Sequence, residues 1–428
     1  MLLADIGRRM IRDGAMTLID AEGTAHRFGQ PEPGRGFEDI VVRLHDRKLH
    51  WKLALNPHLA LGEAYMDGTL TVERGSLHEF LDLLGRNMVH LDRQPMDRIV
   101  RGIEDLLRMV RQVNPAGRSR RNVAHHYDLS DRLYDLFLDR DRQYSCAYFA
   151  DLDMTIDEAQ VSKKRHLAAK LLLRPGQKVL DIGSGWGGLA LSLARAADVE
   201  VTGITLSKEQ IQVAEQRARA AGLADRARFH LRDYRHETGR YDRIVSVGMF
   251  EHVGRPQYRT FFQKIHDLLA DDGVALLHSI GQMGVPSAGS PWLRKYIFPG
   301  GYAPALSEVL PAIERAGLWI TDIEILWGHY AETLKRWRAR FEANRDRIRA
   351  IYDERFCRMW EFYLASCEMT FRRRNMMVFQ IQLAKAIDAV PVTRDYIPET
   401  ERAFARGGGI AACQEPGLTA GLRESGWG

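Results

Sequence analysis

Asp181, Gly183, Gly185 and Gly187 stand at alternate positions in KVLDIGSGWGGLA (178–190), a spacing suited to holding a nucleotide-like ligand. Glycines without a Cβ allow a tight turn and a close approach of backbone to ligand. The helix-prone stretch behind them, Leu189 to Ala196, offers unpaired N–H groups at its start. The pattern D-x-G-x-G-x-G differs in spacing from the dinucleotide fingerprint G-x-G-x-x-G, and an acid closes its strand. Such turns also serve as packing devices with no ligand. Further polar residues recur where apolar runs end: Thr205 after EVTGI, Asp233 after ARFHL, Glu251 after YDRIVSVG, and His278 in GVALLHSIG. In a parallel sheet covered on both faces, the carboxyl ends of the strands surround one crevice, so these positions are expected to meet. Taken singly, Glu251 beside His252 reads as well as a structural ion pair, and His278 as a satisfied core histidine.

The elements that must position them follow in order. Residues 1–90 read as a small α+β module: an amphipathic helix, strands at Met16–Asp20, Ile40–Leu44 and Leu49–Leu55, then two helical segments, the second at Ser76–Leu84 after the strand-like TLTVERG. Residues 91–121 read as a basic linker, helix-prone and interrupted at Pro95 and Pro115. Catalytic-domain material spans 122–395. A helix from Thr155 to Leu173 leads into the Gly-rich strand, and strand-helix alternation then predicts a parallel sheet. Ser207 is placed to cap the second helix, with Gln210 at the capping-box position. KYIFPGGYAPALSE (295–308) is a loop of the kind that covers a site. Residues 329–374 read as two long amphipathic helices with aromatics on one face and arginines on the other, inserted before a last strand, NMMVFQIQL. Residues 396–428 are expected to form a flexible tail.

The chain of 428 residues is 45% hydrophobic, enough for two or three well-formed domains. Its N-terminus has no signal-peptide core and no run is long enough to span a bilayer, which predicts a soluble, cytoplasmic protein. Cys146, Cys357, Cys367 and Cys413 lie far apart without metal-ligand spacing, so free thiols and no metal site are expected. The net charge is only +5, but seven arginines against three acids lie between Asp97 and Arg121. That stretch suits anionic lipid, or is simply a solvated helix face. No nucleic-acid-binding signature accompanies it.

The glycine motif resembles motif I of the class I S-adenosylmethionine-dependent methyltransferases. YSCAYF, VLDIGSGWGG, GITLSKEQ, FEHVG, LLHSIG, FPGGY, GHYAETLKRW and RMWEFYLASCEMTFRRR together resemble the bacterial cyclopropane-fatty-acyl-phospholipid synthases and the mycolic acid cyclopropane synthases, over roughly residues 115–395. The resemblance implies an α/β fold, a Rossmann-like class I methyltransferase sheet with a helical insertion, besides the N-terminal domain. GEAYMDG at Gly62–Gly68 matches that accessory domain. It also implies transfer of a methylene unit from S-adenosylmethionine to the cis double bond of unsaturated acyl chains in phospholipids. Peripheral association with the inner face of the membrane follows, and a homodimer is a family expectation.

An unactivated alkene is a feeble nucleophile, so this chemistry needs a positioned sulfonium methyl, a dry cavity and stabilisation of the resulting carbocation. Tyr144, Tyr148, Phe149, Trp186 and Tyr330 are aromatic candidates, each of which also reads as core packing. The family closes the ring with a bound bicarbonate. By resemblance Cys146, Glu251, His278, the backbone of Ile280 and Tyr330 would hold it, and Cys367 is a lesser candidate that also reads as a packed thiol. Cys146 as a covalent nucleophile makes little sense against an alkene. The resemblance assigns the cofactor to Tyr144, Ser145, Asp181, Gly183, Gly185, Gly187, Thr205, Leu206, Ser207, Gln210, Asp233 and Tyr234. The acid that usually ends the second strand of such sheets and holds the ribose is absent, leaving neutral groups at Thr205, Ser207 and Gln210. A fatty-acyl methyltransferase stopping at a branched or methylene product, and an idle lipid-binding relative, are the alternatives.

Overall fold

A computed structural model describes residues 2–30, 40–88, 131–287 and 289–407. The expected linker and its arginines, Cys413 and the end of the tail lie outside these residues.

The first unit runs α1 (Leu2–Met10), β1 (Gly14–Ile19), β2 (Ala25–Gln30), β3 (Ile40–Leu44), α2 (Leu49–Leu55), α3 (Pro57–Met66), β4 (Leu70–Arg74) and α4 (Leu77–Asn87). Its sheet has the order β2-β1-β3-β4. The expected strand at Leu49–Leu55 is the helix α2. Leu49 and Leu53, four residues apart, turn toward the core, while Trp51 and Leu55 face out, so the apparent alternation LHWKLAL was a helical spacing. β2 escaped the sequence reading because only Phe28 within it is buried.

The second unit contains α5 (Asp131–Phe137), α6 (Ile156–Lys170), β5 (Lys178–Ile182), α7 (Gly188–Ala197), β6 (Glu200–Thr205), α8 (Lys208–Ala220), β7 (Ala227–Leu231), β8 (Tyr241–Val247), α9 (Tyr258–Leu268), β9 (Leu269–Gln282), α10 (Pro291–Tyr296), α11 (Leu306–Arg315), β10 (Trp319–Ile325), α12 (His329–Ala343), α13 (Arg345–Ile351), α14 (Glu354–Arg373), β11 (Met376–Ala384) and α15 (Tyr396–Arg406). The sheet order is β10-β11-β9-β8-β5-β6-β7. β5 to β9 pair in parallel, and β11 runs antiparallel to both β9 and β10. The order reverses at β5, whose carboxyl end therefore opens into the crevice.

Local signals explain several boundaries. Thr155 and Glu158 form a capping box that starts α6, as Ser76 and Glu79 do for α4. The insertion between β10 and β11 has three helices rather than two. Asn344 breaks it, its amide donating to the carbonyls of Leu136 and Arg340, and Asp353 caps α14. The tail expected to be flexible is ordered through residue 407. α15 packs on α6 by burying Ile397, and Glu401 pairs with His166. No helix among the described residues is long and apolar enough to cross a membrane.

The first unit docks along α14. Tyr65 donates to Glu361 at 2.8 Å, Arg373 to Asp82 at 2.7 Å, and Glu63 accepts from Lys295 and Tyr296 at 2.6 and 2.8 Å. At Gly62 a Cβ would lie 2.5 Å from the Trp292 ring, so the GEAYMDG segment needs its glycine for the approach of α3 to α10. The arginines of the insertion pair internally: Arg338 and Arg372 with Glu368, Arg345 with Glu354 and Glu361, Arg355 with Asp67. They stitch elements together rather than form an unmatched cationic face.

Candidate functional site

The glycine turn closes one side of a cavity at the carboxyl ends of β5, β6 and β8. Tyr144, Ser145, Asp181, Gly183, Gly185, Thr205, Leu206, Gln210, Asp233 and Tyr234 all line it. Gly183 and Gly185 have φ of +87° and +54°, and nothing within 4 Å would meet a Cβ at Gly185, so this turn faces open space. Burial pushes the Asp181 carboxyl up to about 7, and its Oδ2 and the Ser184 hydroxyl have no hydrogen-bond partner. Buried polar groups normally find one, so these atoms fit a ligand that supplies it. The turn, the orphaned acid and the open floor suit a nucleoside such as S-adenosylmethionine.

Two expected cofactor residues do not line this cavity. Gly187 packs instead: its φ is +80° and a Cβ there would lie 2.8 Å from the Phe229 ring and 2.9 Å from Ala214. Ser207 caps α8, accepting from the Gln210 amide at 3.2 Å. The expected reciprocal bond from the Gln210 side chain is replaced by one from the Thr205 hydroxyl to Gln210 Oε1 at 2.8 Å, which fixes that side-chain amide in the cavity wall. Asp233 also has a protein partner, Arg235, which grips it through Nε and Nη2 at 2.9 and 2.6 Å. Burial would raise this carboxyl, but those bonds hold it below the ordinary range.

The second group of residues sits around β9. His278 and Ile280, two apart on a strand, share one face. Glu251 arrives from the short helical turn after β8, where its Oε1 accepts the Ile280 N–H at 2.6 Å. Burial pushes the Glu251 carboxyl up to about 7, and its Oε2 has no partner, which removes the ion-pair reading with His252. The Ile280 carbonyl accepts the Ser279 hydroxyl at 3.1 Å. His278 Nε2 is likewise buried without a partner, and burial keeps its imidazole well below the ordinary basicity. Cys146 and Tyr330 are tied to one wall through Thr333, which lies on α12 one turn after Tyr330 and accepts the Ala147 N–H at 3.0 Å. Burial raises the Cys146 thiol far above its ordinary range, so it stays protonated and no thiolate nucleophile forms. Cys367, pushed up to about 12 by burial, lies beside Tyr363, whose hydroxyl meets that of Tyr144 at 2.9 Å.

The aromatic candidates divide. Tyr144 and Trp186 line the cofactor cavity, and Tyr330 packs on Phe371 at 4.7 Å. Tyr148 is stacked on His166 and His329, and Phe149 lies under Arg336 at 4.4 Å, so these two serve packing.

Lys163 was not anticipated. It is fully buried on α6, and its ammonium donates to Gln143 Oε1 at 2.9 Å and Ser145 Oγ at 2.8 Å. Burial brings it down to about 8, and its charge reaches Asp181, Cys146 and His278. A lysine in QVSKKRHLAAK reads by default as solvated, and only the fold shows that the face bearing Lys163 and Lys164 is covered. Gln380 on β11 was missed for a similar reason: a strand buried on both faces carries no alternation that marks an inward amide.

A family model for mycolic acid cyclopropane synthetase matches residues 115–381. A probable fatty acid methyltransferase of Pseudomonas putida is 40% identical over 270 residues, 61% of this chain and 68% of its own length. The cyclopropane-fatty-acyl-phospholipid synthase of Escherichia coli K12 is 36% identical over 334 residues, 77% and 84% of the two chains. Among solved structures, the cyclopropane synthase MmaA2 from Mycobacterium tuberculosis matches with TM-score 0.60 and 34% identity, covering 64% of this chain and 99% of that one. Coclaurine N-methyltransferase, 23% identical with TM-score 0.63 over 76% of this chain and 99% of that one, shares the class I fold. The glycine turn, the reversed sheet order and these matches agree: this chain belongs to the mycolic acid cyclopropane synthetase family and is an S-adenosylmethionine-dependent methyltransferase.

Proposed function

We propose that this enzyme transfers a methylene unit from S-adenosylmethionine to the cis double bond of unsaturated acyl chains in membrane phospholipids, closing a cyclopropane ring. The observation that carries this reading is the pair of orphaned polar atoms, Glu251 Oε2 and His278 Nε2, on residues joined through one segment of β9. Two buried polar atoms without protein partners suit a small polar ligand, which supports a bound bicarbonate. When bound, bicarbonate supplies a base inside an apolar wall. The residues do the remaining work. The glycine turn and Asp181 orient the donor, and the Tyr144 and Trp186 rings that line the same cavity are the aromatic faces available to the developing cation. As the sulfonium methyl moves to one alkene carbon, the other becomes cationic; loss of a proton from that methyl then lets its carbon close the ring. Glu251, near neutrality in basicity, takes part in carrying that proton away.

The identity to a probable fatty acid methyltransferase supports a second reading, in which the same cation loses its proton without ring closure. Incubation with S-adenosylmethionine and vesicles of dioleoyl phospholipid, followed by mass spectrometry of the fatty acids, separates the two. A cyclopropane product that disappears on rigorous removal of bicarbonate is expected. A branched or methylene product, or turnover indifferent to bicarbonate, would overturn the corresponding part.

The same reading places the enzyme peripherally on the inner face of the membrane. With the insertion arginines internally paired, support comes from α2. Trp51 and Leu55, one turn apart, are 64% and 78% exposed, and Lys48 and Lys52 flank them on exposed positions. An aromatic and aliphatic pair rimmed by lysines suits an anionic lipid interface. Trp51→Ser with Leu55→Ser is expected to weaken sedimentation with anionic vesicles by roughly tenfold or more. Turnover of detergent-dispersed substrate should be unchanged. A shift to monomer in sedimentation velocity with unchanged vesicle binding would assign the face to a second copy instead.

A further inference from the structure

β11 pairs antiparallel with β9, and Gln380 stands directly opposite His278. Opposed residues put their side chains on the same face within reach of each other. Both are buried, at 0% and 2% exposure, and Gln380 Nε2 lies 3.2 Å from His278 Nδ1. An amide nitrogen has only protons to offer. In this orientation of the amide, which leaves Gln380 Oε1 without a partner, the Nε2 protons point to Nδ1 and Nδ1 accepts, so that a neutral ring carries its proton on Nε2. That Nε2 is the atom left without a partner in the protein. Burial first, and then the charges of Lys163, Lys170 and His166 from α6, act against an imidazolium, and Glu324 from β10 acts for it.

We propose that Gln380 is a positioning residue that locks His278 as the Nε2–H tautomer, so that the histidine donates a hydrogen bond to the bound acceptor and is not the base. An Nε2 that already carries a proton has no lone pair with which to take another. The proton released from the new methyl group must therefore leave through the bound anion and Glu251. This deepens the bicarbonate reading above and rests on it for the identity of the acceptor, but the tautomer itself does not depend on it.

The test uses the full-length enzyme with ring-15N histidine, saturated with S-adenosylhomocysteine, with the His278 signals assigned by their loss in His278→Asn. One pyrrole-like nitrogen at Nε2 and one pyridine-like nitrogen at Nδ1 are expected at neutral pH. In Gln380→Glu the carboxylate accepts from the ring, so the proton moves to Nδ1 and the donor facing the site is lost. Turnover is then expected to fall roughly a hundredfold, the scale of removing one such donor, with cofactor affinity within about twofold of the parent. Gln380→Met, which removes the amide without replacing it, is expected to give mixed tautomers and a smaller loss. An imidazolium or an Nδ1–H ring in the parent enzyme overturns the proposal, and so does a Gln380→Glu enzyme whose tautomer switches while turnover holds. If the Glu variant does not fold, the parent spectrum and the Met variant still decide. Bicarbonate-independent turnover with the expected tautomer would instead remove only the identity of the acceptor.

Discussion

Glu251→Gln is expected to lower product formation by roughly a thousandfold while making the protein more stable above neutral pH. The amide retains the shape of the carboxyl and still accepts the Ile280 N–H, so the local fold is kept. What it cannot do is take up a proton. The stability gain follows from the raised acidity constant. Burial holds this carboxyl at about 7 against an ordinary 4.5, so the folded state binds a proton that the unfolded chain has released. Stability therefore falls as pH rises between those values, and the full penalty, about 3 kcal/mol as an upper bound, is present above 7. Glutamine is neutral throughout and escapes it. Thermal melts of parent and variant should coincide below about pH 4.5, diverge between there and 7, and stay apart at higher pH. A variant that merely misfolds would lose stability at every pH. Retained turnover in Glu251→Gln would show that the proton does not pass through this residue.

This pairing of lost activity with gained stability reflects how the site was assembled, and it bears on what a sequence discloses. Part of the crevice was legible because a parallel sheet obliges polar residues at strand ends to gather: Asp181, Thr205 and Asp233 line one cavity, whereas Glu251 and His278, expected with them, are not among its lining residues and meet instead around β9. The partners themselves were not legible. Gln380 meets His278 across 102 residues of chain through an antiparallel register that depends on the three-helix insertion between β10 and β11. Lys163 is charged yet covered because α6 lies under both α15 and the 143–146 segment, contacts that no helical periodicity records. The α15 error has the same origin. Its only buried apolar residue is Ile397, and it is held by the His166–Glu401 pair and by Gln382 donating to the Tyr396 hydroxyl at 2.8 Å, contacts that a terminal position in the chain does not reveal. Gly187 and Ser207, motif positions that do not line the cavity, are used by the fold for packing and capping.

Asp141→Ala is expected to destabilise the protein by about 3–5 kcal/mol and to weaken cofactor binding, although Asp141 makes no part of the sequence motif. The carboxylate is buried beneath the start of α7, where Gly188 leaves no room for a side chain: a Cβ there would lie 2.6 Å from Asp141 Oδ2. It receives Lys164 from α6 at 2.6 Å, Gln143 at 3.2 Å and the guanidinium of Arg217 from α8. One acid thus ties two helices to the floor of the glycine turn. Burial alone would raise this carboxyl, but Lys164 and Arg217 together hold it down to about 2. Its contribution is therefore complete above the ordinary value of 3.8 and is lost as pH falls toward 2. Removing it strands Lys164, which has no exposure at all, as an unpaired buried charge. Arg217 keeps a bond to the Trp186 carbonyl at 3.0 Å and is less affected. Urea unfolding should show the loss at pH 7, and the gap between parent and variant should narrow by about 2 kcal/mol between about pH 4 and 2, the amount set by the fall from 3.8 to about 2. Adding Lys164→Met should recover most of the stability, because the stranded cation rather than the missing attraction carries the cost. An Asp141→Ala protein with the parent's unfolding midpoint would show that this buried cluster does not hold up the turn.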